Sequence, residues 1–353
     1  MRYGSYVMGA MCWVVLFISI LYLPTFFASL GRTTNVLRIL TFGSILDPAY
    51  IQRFEKATGI TVELSYYVSN EELHAKLKKI GGKGYDLIVP SDYTVSLLLD
   101  HGLLKRLDHG RMPFLHTINP LLLHHHFDCE NHYSVPFEWE LYGIGYNKQL
   151  LGHIDEPHWA MIFRDPKAYK IVMVDDPVEA LLFATQYLYG DRDSLSVHEF
   201  TEVENLLKKQ RTWVEAYSSM RAGYYLVTEL SPLALSTTSY MFNARKQAPH
   251  LAFAIPTEGS FITIENFAIP HDASRDELVY KFLNFIYTQD AAIHHFHEYA
   301  NLPAVLGDEV LRAVGSEAAQ LLTMDRAKFK KMRFFKQIAP EAQVKGMWVA
   351  VKA

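Results

Sequence analysis

The chain has 353 residues, about twice the length of a typical domain, and 50% of them are hydrophobic, 13% aromatic and 20% charged. This composition excludes a disordered chain, because it can bury enough apolar surface to offset the entropy of ordering. Lysine and arginine (34) are outnumbered by aspartate and glutamate (38), and the net charge of −4 argues against binding to nucleic acid.

The N-terminus predicts export. Residues 7–28 carry no charge, and Arg2 is the only basic residue before them. A cationic tip followed by an apolar run is typical of a signal peptide, but this run is also long enough to span a bilayer. We therefore expect residues 1–31 to be a signal peptide or a retained membrane anchor, with a buried core helix as the remaining alternative.

Strands and helices then alternate, which favours an α/β fold with largely parallel sheets. Asp47 and Pro48 form a helix start, and Gly59 marks its end. The predicted elements are strands at Val36–Leu40, Ile60–Tyr66 and Tyr85–Pro90, and helices at 48–58, from Ser69, and at Asp92–His101.

Two long extended segments interrupt this alternation. Tyr133–Asn147 and Phe261–Pro270 have no turn signals and suit strands that cross between two lobes. Between them we predict strands at Lys170–Val174, Thr212–Tyr217, Tyr224–Leu230 and Leu251–Ile255, and helices at Pro177–Tyr189 and Val197–Gln210. Helices follow to the C-terminus. Two α/β lobes joined by crossing strands predict a hinged molecule with a ligand cleft between the lobes.

No motif for a nucleophile, a phosphate-binding loop or a zinc peptidase is present, so no enzymatic activity and no cofactor are expected. With only Cys12 and Cys129, a disulfide framework and a cysteine metal site are excluded. Of the sixteen histidines, the His124–His126 tract and the cluster at His294, His295 and His297 are interpreted as solvated surface groups, with metal binding or pH sensing as the alternative.

Six short segments, in this order, resemble the spermidine/putrescine-binding proteins of polyamine ABC transporters. They are Phe54-x-x-x-Thr58-Gly59-Ile60-x-Val62, Tyr85-Asp86-Leu87-Ile88-Val89-Pro90-Ser91, Tyr133-Ser134-Val135-Pro136-Phe137-x-Trp139, Gly143-Ile144-Gly145-Tyr146-Asn147, Asp175-Asp176-Pro177-x-Glu179 and Phe267-Ala268-Ile269-Pro270. The resemblance implies a two-lobed periplasmic-binding-protein fold, type II-like, with the two crossing strands as the hinge. Lobe 1 is expected over residues 36–142 and 265–308, and lobe 2 over residues 143–264 and 309–353.

The resemblance also implies a binding site. Asp176 and Glu179 match two family carboxylates, and Glu265 stands where the family has an aspartate. Ser91 and Tyr93 match a hydroxyl and an aromatic wall. Carboxylates would pair with the ammonium groups, and aromatic rings would line the methylene chain.

The aromatic part of the family pattern is depleted. Phe42 replaces a tryptophan, Leu230 and Thr263 stand at tryptophan positions, and Asn301 replaces a tyrosine. Glu138 and Glu140, two residues apart on an extended segment, share one face and are candidates to compensate with charge.

Several of these residues have structural alternatives. Asp176-Pro177-x-Glu179 also fits a helix N-cap, where the helix dipole would lower the pKa of either carboxyl. Tyr93 and Phe42 suit ordinary packing, and Glu138 and Glu140 could face solvent or basic residues.

The expected function is capture of a linear polyamine, putrescine or spermidine, in the cleft and its delivery to ABC permease subunits. The protein is expected in the periplasm as a monomer, either free or tethered to the membrane through residues 1–31. The alternatives are the same fold binding another small cationic or amino-containing solute, and an anchored sensor.

Overall fold

A computed structural model describes residues 35–80 and 83–353. The segment predicted to be a signal peptide or anchor, residues 1–31, lies outside the described residues. Within the described ranges, no helix combines the length and the hydrophobicity that crossing a bilayer requires.

The described residues contain twelve strands, which we number in chain order. They are β1 (Val36–Phe42), β2 (Thr61–Tyr67), β3 (Leu87–Ile88), β4 (Leu104–Lys105), β5 (Ser134–Asn147), β6 (Ile171–Met173), β7 (Val214–Tyr217), β8 (Leu233–Thr237), β9 (Leu251–Ala254), β10 (Ser260–Pro270), β11 (Leu302–Pro303) and β12 (Met332–Phe334).

Fifteen α-helices accompany these strands in the same part of the chain. They are α1 (Pro48–Thr58), α2 (Asn70–Ile80), α3 (Asp92–Asp100), α4 (Lys148–Leu151), α5 (Ala160–Phe163), α6 (Pro177–Tyr189), α7 (Val197–Gln210), α8 (Ala222–Val227), α9 (Thr238–Arg245), α10 (Asp276–Ile286), α11 (Gln289–Tyr299), α12 (Asp308–Ala313), α13 (Ser316–Leu322), α14 (Arg326–Phe329) and α15 (Glu341–Lys352). Short 3₁₀ helices lie at His109–Arg111, Pro113–Thr117, Pro120–Leu122 and Arg211–Trp213.

The strands form a mixed sheet in the order β2-β1-β3-β10-β5-β8-β6-β7. Pairing is parallel among β1, β2 and β3 and among β6, β7 and β8. Strands β5 and β10 are antiparallel to each other, β5 is antiparallel to β8, and β10 is antiparallel to β3. The expectation of largely parallel sheets therefore holds only for the outer strands, because two strands that cross in opposite directions must pair antiparallel.

The two predicted crossing strands are confirmed as β5 and β10. Their pairing runs from Ile262 opposite Leu141 to Ala268 opposite Ser134, and a β-bulge lies between Glu265 and Asn266. Both strands are mostly buried. Near continuous burial explains why both read in the sequence as long apolar segments.

Two large apolar cores lie on either side of these crossing strands. The first collects buried side chains from 37–141 and 262–332, and the second collects them from 142–214, 233–235, 261 and 338–351. Val310 and Leu322, which lie beyond residue 308, also belong to the first core. Helices α12 and α13 pack on α11 and β11, which precede them in the chain.

The predicted strand over Tyr224–Leu230 is wrong. Residues 222–227 form helix α8, in which Ala222 and Leu226 are buried one helical turn apart. Strand β8 and helix α9 follow at once, and the sequence analysis missed both. Tyrosine, leucine and valine favour strands only where a sheet neighbour receives them, so packing outweighed local propensity here.

The glycines of the segment Gly143-Ile144-Gly145 have a packing role in β5. A Cβ atom on Gly143 would lie 2.6 Å from the carbonyl oxygen of Ala254, on the neighbouring strand β9. Because backbone cannot move away as a side chain can, this close approach requires glycine.

Asp128 stabilises the loop that leads into β5. Its buried carboxylate accepts hydrogen bonds from the backbone amides of His132, Tyr133 and Ser134, at 2.8–3.0 Å, and from the Ser134 hydroxyl. Asp128→Ala leaves several buried donors unpaired, and we expect the free energy of unfolding to fall by about 3 kcal/mol. Urea denaturation measures this, with Glu130→Ala, an exposed acid of the same loop, as the control. A loss below about 1 kcal/mol would contradict this role of Asp128.

Candidate ligand-binding site

Six carboxyl groups converge where the two cores meet. They come from the start of α3, the crossing strands β5 and β10, and the start of α6. They are Asp92, Glu138, Glu140, Asp176, Glu179 and Glu265.

The crossing strands build the floor of this cluster. Glu265 on β10 lies directly opposite Glu138 on β5, and Thr263 lies opposite Glu140. Ser91 forms a backbone bridge with Glu265 on the other side of β10. Since residues two apart on a strand share a face, Glu138 and Glu140 lie on one side of β5, as predicted.

Hydrogen bonds orient the carboxyl groups on the side of the first core. Asp92 is buried and accepts from the backbone amide of Ile264 at 2.9 Å and from the Thr263 hydroxyl at 3.2 Å. The Asn301 amide donates to Glu138 at 2.8 Å, and Glu138 is 2% exposed. Thr263 and Asn301 therefore orient the carboxyl groups of Asp92 and Glu138 by hydrogen bonds.

The side of the second core is built in the same way. The Tyr142 hydroxyl donates to Glu179 at 2.7 Å, and the Ser239 hydroxyl donates to Glu140. Asp176 caps helix α6 by accepting from the backbone amides of Val178 and Glu179. The N-cap interpretation of Asp176-Pro177-x-Glu179 is thus confirmed.

Burial shifts these carboxyl groups toward the protonated form. It raises the pKa of Glu265 to about 8, with the charges of Asp92 and Glu140 adding to the effect. It also raises the pKa of Glu179 to about 8, helped by Asp176 and Glu140, and that of Asp92 to about 7. The pKa of Glu138 lies well above its ordinary value for the same reason.

The start of helix α6 lowers the pKa of Asp176, as predicted, but the net shift is upward. Burial and the nearby charge of Glu71 raise the pKa of Asp176, although the two backbone hydrogen bonds at the helix start oppose the rise. Burial therefore raises the pKa of Asp176 by more than the helix N-terminus lowers it.

The cluster has no cationic partner among the described residues. No lysine, arginine or histidine in 35–80 and 83–353 forms an ion pair with any of the six carboxyl groups; the nearest such pair joins Lys352 to Asp175, the neighbour of Asp176. One oxygen each of Glu179 and Glu265 is inaccessible to solvent and accepts no hydrogen bond from a described residue. Such an arrangement is costly for ionised carboxylates, because no described residue neutralises their charge.

Tyrosine hydroxyls lie near the carboxyl groups. Tyr142 donates to Glu179. Glu265 adds to the rise that burial causes in the pKa of Tyr67, and Glu140 and Glu179 add to it for Tyr142 and Tyr240.

The remaining predicted site residues are Ser91, Phe42 and Tyr93. Ser91 is buried and hydrogen-bonded to Asn70 and Thr94. Phe42 is 44% exposed, and its ring centroid lies 5.7 Å from that of Tyr67. Tyr93 is partly buried, and the charges that act on it are those of Glu71 and Glu341.

The alternatives for Glu138 and Glu140 are resolved. Neither faces bulk solvent, since Glu138 is buried and Glu140 partly buried, and neither meets a basic residue of the described chain. Leu230, in contrast, is 55% exposed in the turn before β8.

Sequence reasoning missed Asp92, Tyr142 and Ser239. Asp92 directly follows the segment 85–91, which resembles the family. An acid at the start of a helix is common for structural reasons, so its position alone does not indicate ligand binding. Ser239 was not identified because strand β8 was not predicted. This strand ends at Thr237, two residues before Ser239, and so places the Ser239 hydroxyl next to Glu140.

The predicted surface location holds for only some of the histidines. His124 and His126 are exposed, whereas His295 is 1% exposed, and burial lowers its pKa to about 4. The Nε2–H of His294 donates to the carboxylate of Asp47, the N-cap of α1. Within the described ranges, no group of three or more possible ligands is arranged to hold a metal ion.

Comparison with solved structures defines the class of fold. The spermidine/putrescine ABC transporter substrate-binding protein PotD from Streptococcus pneumoniae matches with a TM-score of 0.78 at 22% identity, over 90% of this chain and 99% of that one. The chain has the two-lobed fold of periplasmic binding proteins, with the carboxyl cluster between its two cores.

Sequence comparison identifies the family. Residues 49–347 match the family described as bacterial extracellular solute-binding protein, and the chain belongs to it. The spermidine/putrescine-binding periplasmic protein of Salmonella typhimurium is 30% identical over 266 residues, 75% of this chain and 76% of that protein. The putrescine-binding periplasmic protein PotF of Escherichia coli is 28% identical, over 75% and 77% of the two chains. The family is one of substrate-binding proteins and not of enzymes.

Proposed function

We propose that this protein captures a linear polyamine between its lobes and delivers it to the permease subunits of an ABC transporter. The observation that carries the proposal is the cluster of six carboxyl groups without a cationic partner among the described residues. The printed names of the relatives, which refer to spermidine and putrescine, support it.

The chemistry of the cluster suits an alkylammonium chain. Each ammonium group that leaves water needs charged hydrogen-bond acceptors, and the oxygens of Glu179 and Glu265 without partners supply them. The methylene groups between the nitrogens favour apolar and aromatic surface, which Tyr67, Tyr142 and Tyr240 offer. Acids and rings together favour a flexible amine over a simple metal cation.

We assign the roles by position. Asp176 and Glu179 hold one end of the ligand from the second lobe, and Glu265 with Asp92 holds the other end. Ser91, Tyr93 and Phe42 form the wall on the first lobe. Glu138 and Glu140 complete the negative floor.

We propose lobe limits that follow the two cores. Lobe 1 comprises about 35–141 and 262–334, and lobe 2 comprises about 142–261 and 335–353. The crossing strands β5 and β10 are then the hinge, and Glu138, Glu140 and Glu265 lie on it.

We further propose that the protein works as a monomer in the periplasm. The relatives are named as periplasmic proteins, and residues 7–28 have the character of an export segment. Residues 1–31 are then cleaved as a signal peptide or kept as a membrane tether.

Isothermal titration of the purified protein with putrescine, cadaverine, spermidine and spermine tests the function. We expect a dissociation constant in the micromolar range or below for at least one amine, and no binding of a neutral amino acid used as control. If none of the four amines bound, the carboxyl cluster would serve another small cation and the proposed function would fail.

A further inference from the structure

Glu140 lies at the centre of a row of carboxyl groups that runs from one lobe to the other. Asp92 accepts hydrogen bonds from Thr263 and Ile264, beside Glu265 on β10, and Glu265 lies opposite Glu138 on β5. Further along β5, Tyr142 donates to Glu179, on the helix that Asp176 caps. The order along the row is therefore Asp92, Glu265, Glu140, Glu179 and Asp176, with Glu138 beside Glu265.

The backbone explains this order. On β5, Glu138, Glu140 and Tyr142 follow one another on the same face, about 7 Å apart from one residue to the next. The first lies opposite Glu265 and the last donates its hydroxyl proton to Glu179. Glu140 is thus one step from the carboxyl groups of either lobe.

Hydrogen bonds hold Glu140 in this central position. The Ser239 hydroxyl donates to it, and the Thr237 hydroxyl lies 3.0 Å from that of Ser239. Thr263, opposite Glu140 on β10, is turned toward Asp92 by its own hydrogen bond. No described lysine, arginine or histidine forms an ion pair with Glu140, and the neighbouring acids Glu265 and Glu179 each have one oxygen without a partner among the described residues.

Resting on the proposed function, we propose that Glu140 determines specificity by pairing with an internal ammonium group of a linear triamine or longer polyamine. The outer carboxyl groups of the row hold the two terminal ammonium groups. A diamine that spans the same row would present methylene groups to Glu140. The carboxylate of Glu140 would then stay buried without a counter-charge.

A pair of ligands of equal length tests this proposal. Spermidine and 1,8-diaminooctane have terminal nitrogens the same number of atoms apart, and only spermidine has a nitrogen between them. We expect the protein to bind spermidine at least tenfold more tightly than 1,8-diaminooctane in isothermal titration at pH 8. This comparison requires no variant, so it cannot fail through misfolding.

Glu140→Gln should reduce this preference to less than about threefold, mainly by weakening spermidine binding. Glu309→Gln is the control, because it neutralises an exposed acid on α12, outside the carboxyl cluster. The control should retain the preference within about threefold of the wild-type value.

The outcomes separate this inference from the proposed function. Equal affinities of the wild type for the two ligands, or an unchanged preference in Glu140→Gln, would overturn the role of Glu140 while leaving amine binding intact. Absence of binding by every amine would overturn the proposed function itself.

Discussion

Glu265→Gln is expected to weaken spermidine or putrescine binding about 30- to 150-fold. Glu265 lies on the crossing strand β10, and one of its oxygens has no hydrogen-bond donor among the described residues. A ligand ammonium group that meets a neutral amide there loses its charged partner, which costs about 2–3 kcal/mol.

The same substitution is expected to stabilise the ligand-free protein at pH 8. Burial and the charges of Asp92 and Glu140 disfavour the ionised form of Glu265, so a neutral side chain of equal size removes an unfavourable charge. Opposite effects on binding and on stability are typical of residues that are kept for function.

Titration of the variant with each amine and thermal unfolding without ligand measure the two effects. Glu309→Gln is the control, because Glu309 is an exposed acid on α12, remote in sequence from the cluster. Unchanged affinity would remove Glu265 from the site. Weak binding together with a lower melting temperature would instead show that Glu265 has a structural role.

Amine binding is expected to strengthen as the pH rises from 6 to 8 and to release protons. In the ligand-free protein the pKa values of Glu265 and Glu179 are about 8 and that of Asp92 is about 7, so these groups are largely protonated at pH 6. A bound ammonium group favours the carboxylate and lowers these pKa values. The amine must therefore displace protons, and each proton released raises the affinity up to about tenfold per pH unit.

The free energy of unfolding of the ligand-free protein should fall as the pH rises from 6 to 8. The folded-state pKa of Glu265 and Glu179 lies above the value of about 4.3 for an unfolded glutamate. Below that value both states are protonated, and the contribution to stability is fully present. It is lost as the pH rises toward 8, because the unfolded chain ionises while the folded protein keeps its protons.

Isothermal titration at pH 7 in two buffers with different heats of ionisation measures the protons released, and we expect about one to two. The double variant Glu179→Gln with Glu265→Gln is the matched control. It should release fewer protons per bound amine, because two of the titrating carboxyl groups are gone. An affinity that is constant between pH 6 and 8, with no proton release, would show that the carboxyl groups are already ionised before the ligand binds.

Local patterns in the sequence predicted much of the fold. Helices α6 and α7 begin and end at the predicted residues, because a proline after a capping aspartate and a serine–glutamate capping box are local signals. The crossing strands were predicted for a similar reason, since long segments without turn residues have few other conformations. The strand predicted at 224–230 was wrong because only a neighbouring strand or helix decides where such residues pack.

The site was predicted in part. Asp176, Glu179 and Glu265 were identified by their positions in recognised segments, and the structure brings them together. Asp92 and Tyr142 were not identified, because their importance depends on contacts with Thr263 and Glu179, which are distant in the chain.

By itself the sequence determined the class of fold and the two crossing strands. These features rest on residue type and on periodicity over short distances. Only the tertiary structure decided that six carboxyl groups face one another, which of their oxygens have no partner, and in which direction their pKa values move. Burial and electrostatic coupling depend on distances between residues far apart in the chain, and no spacing along the chain contains those distances.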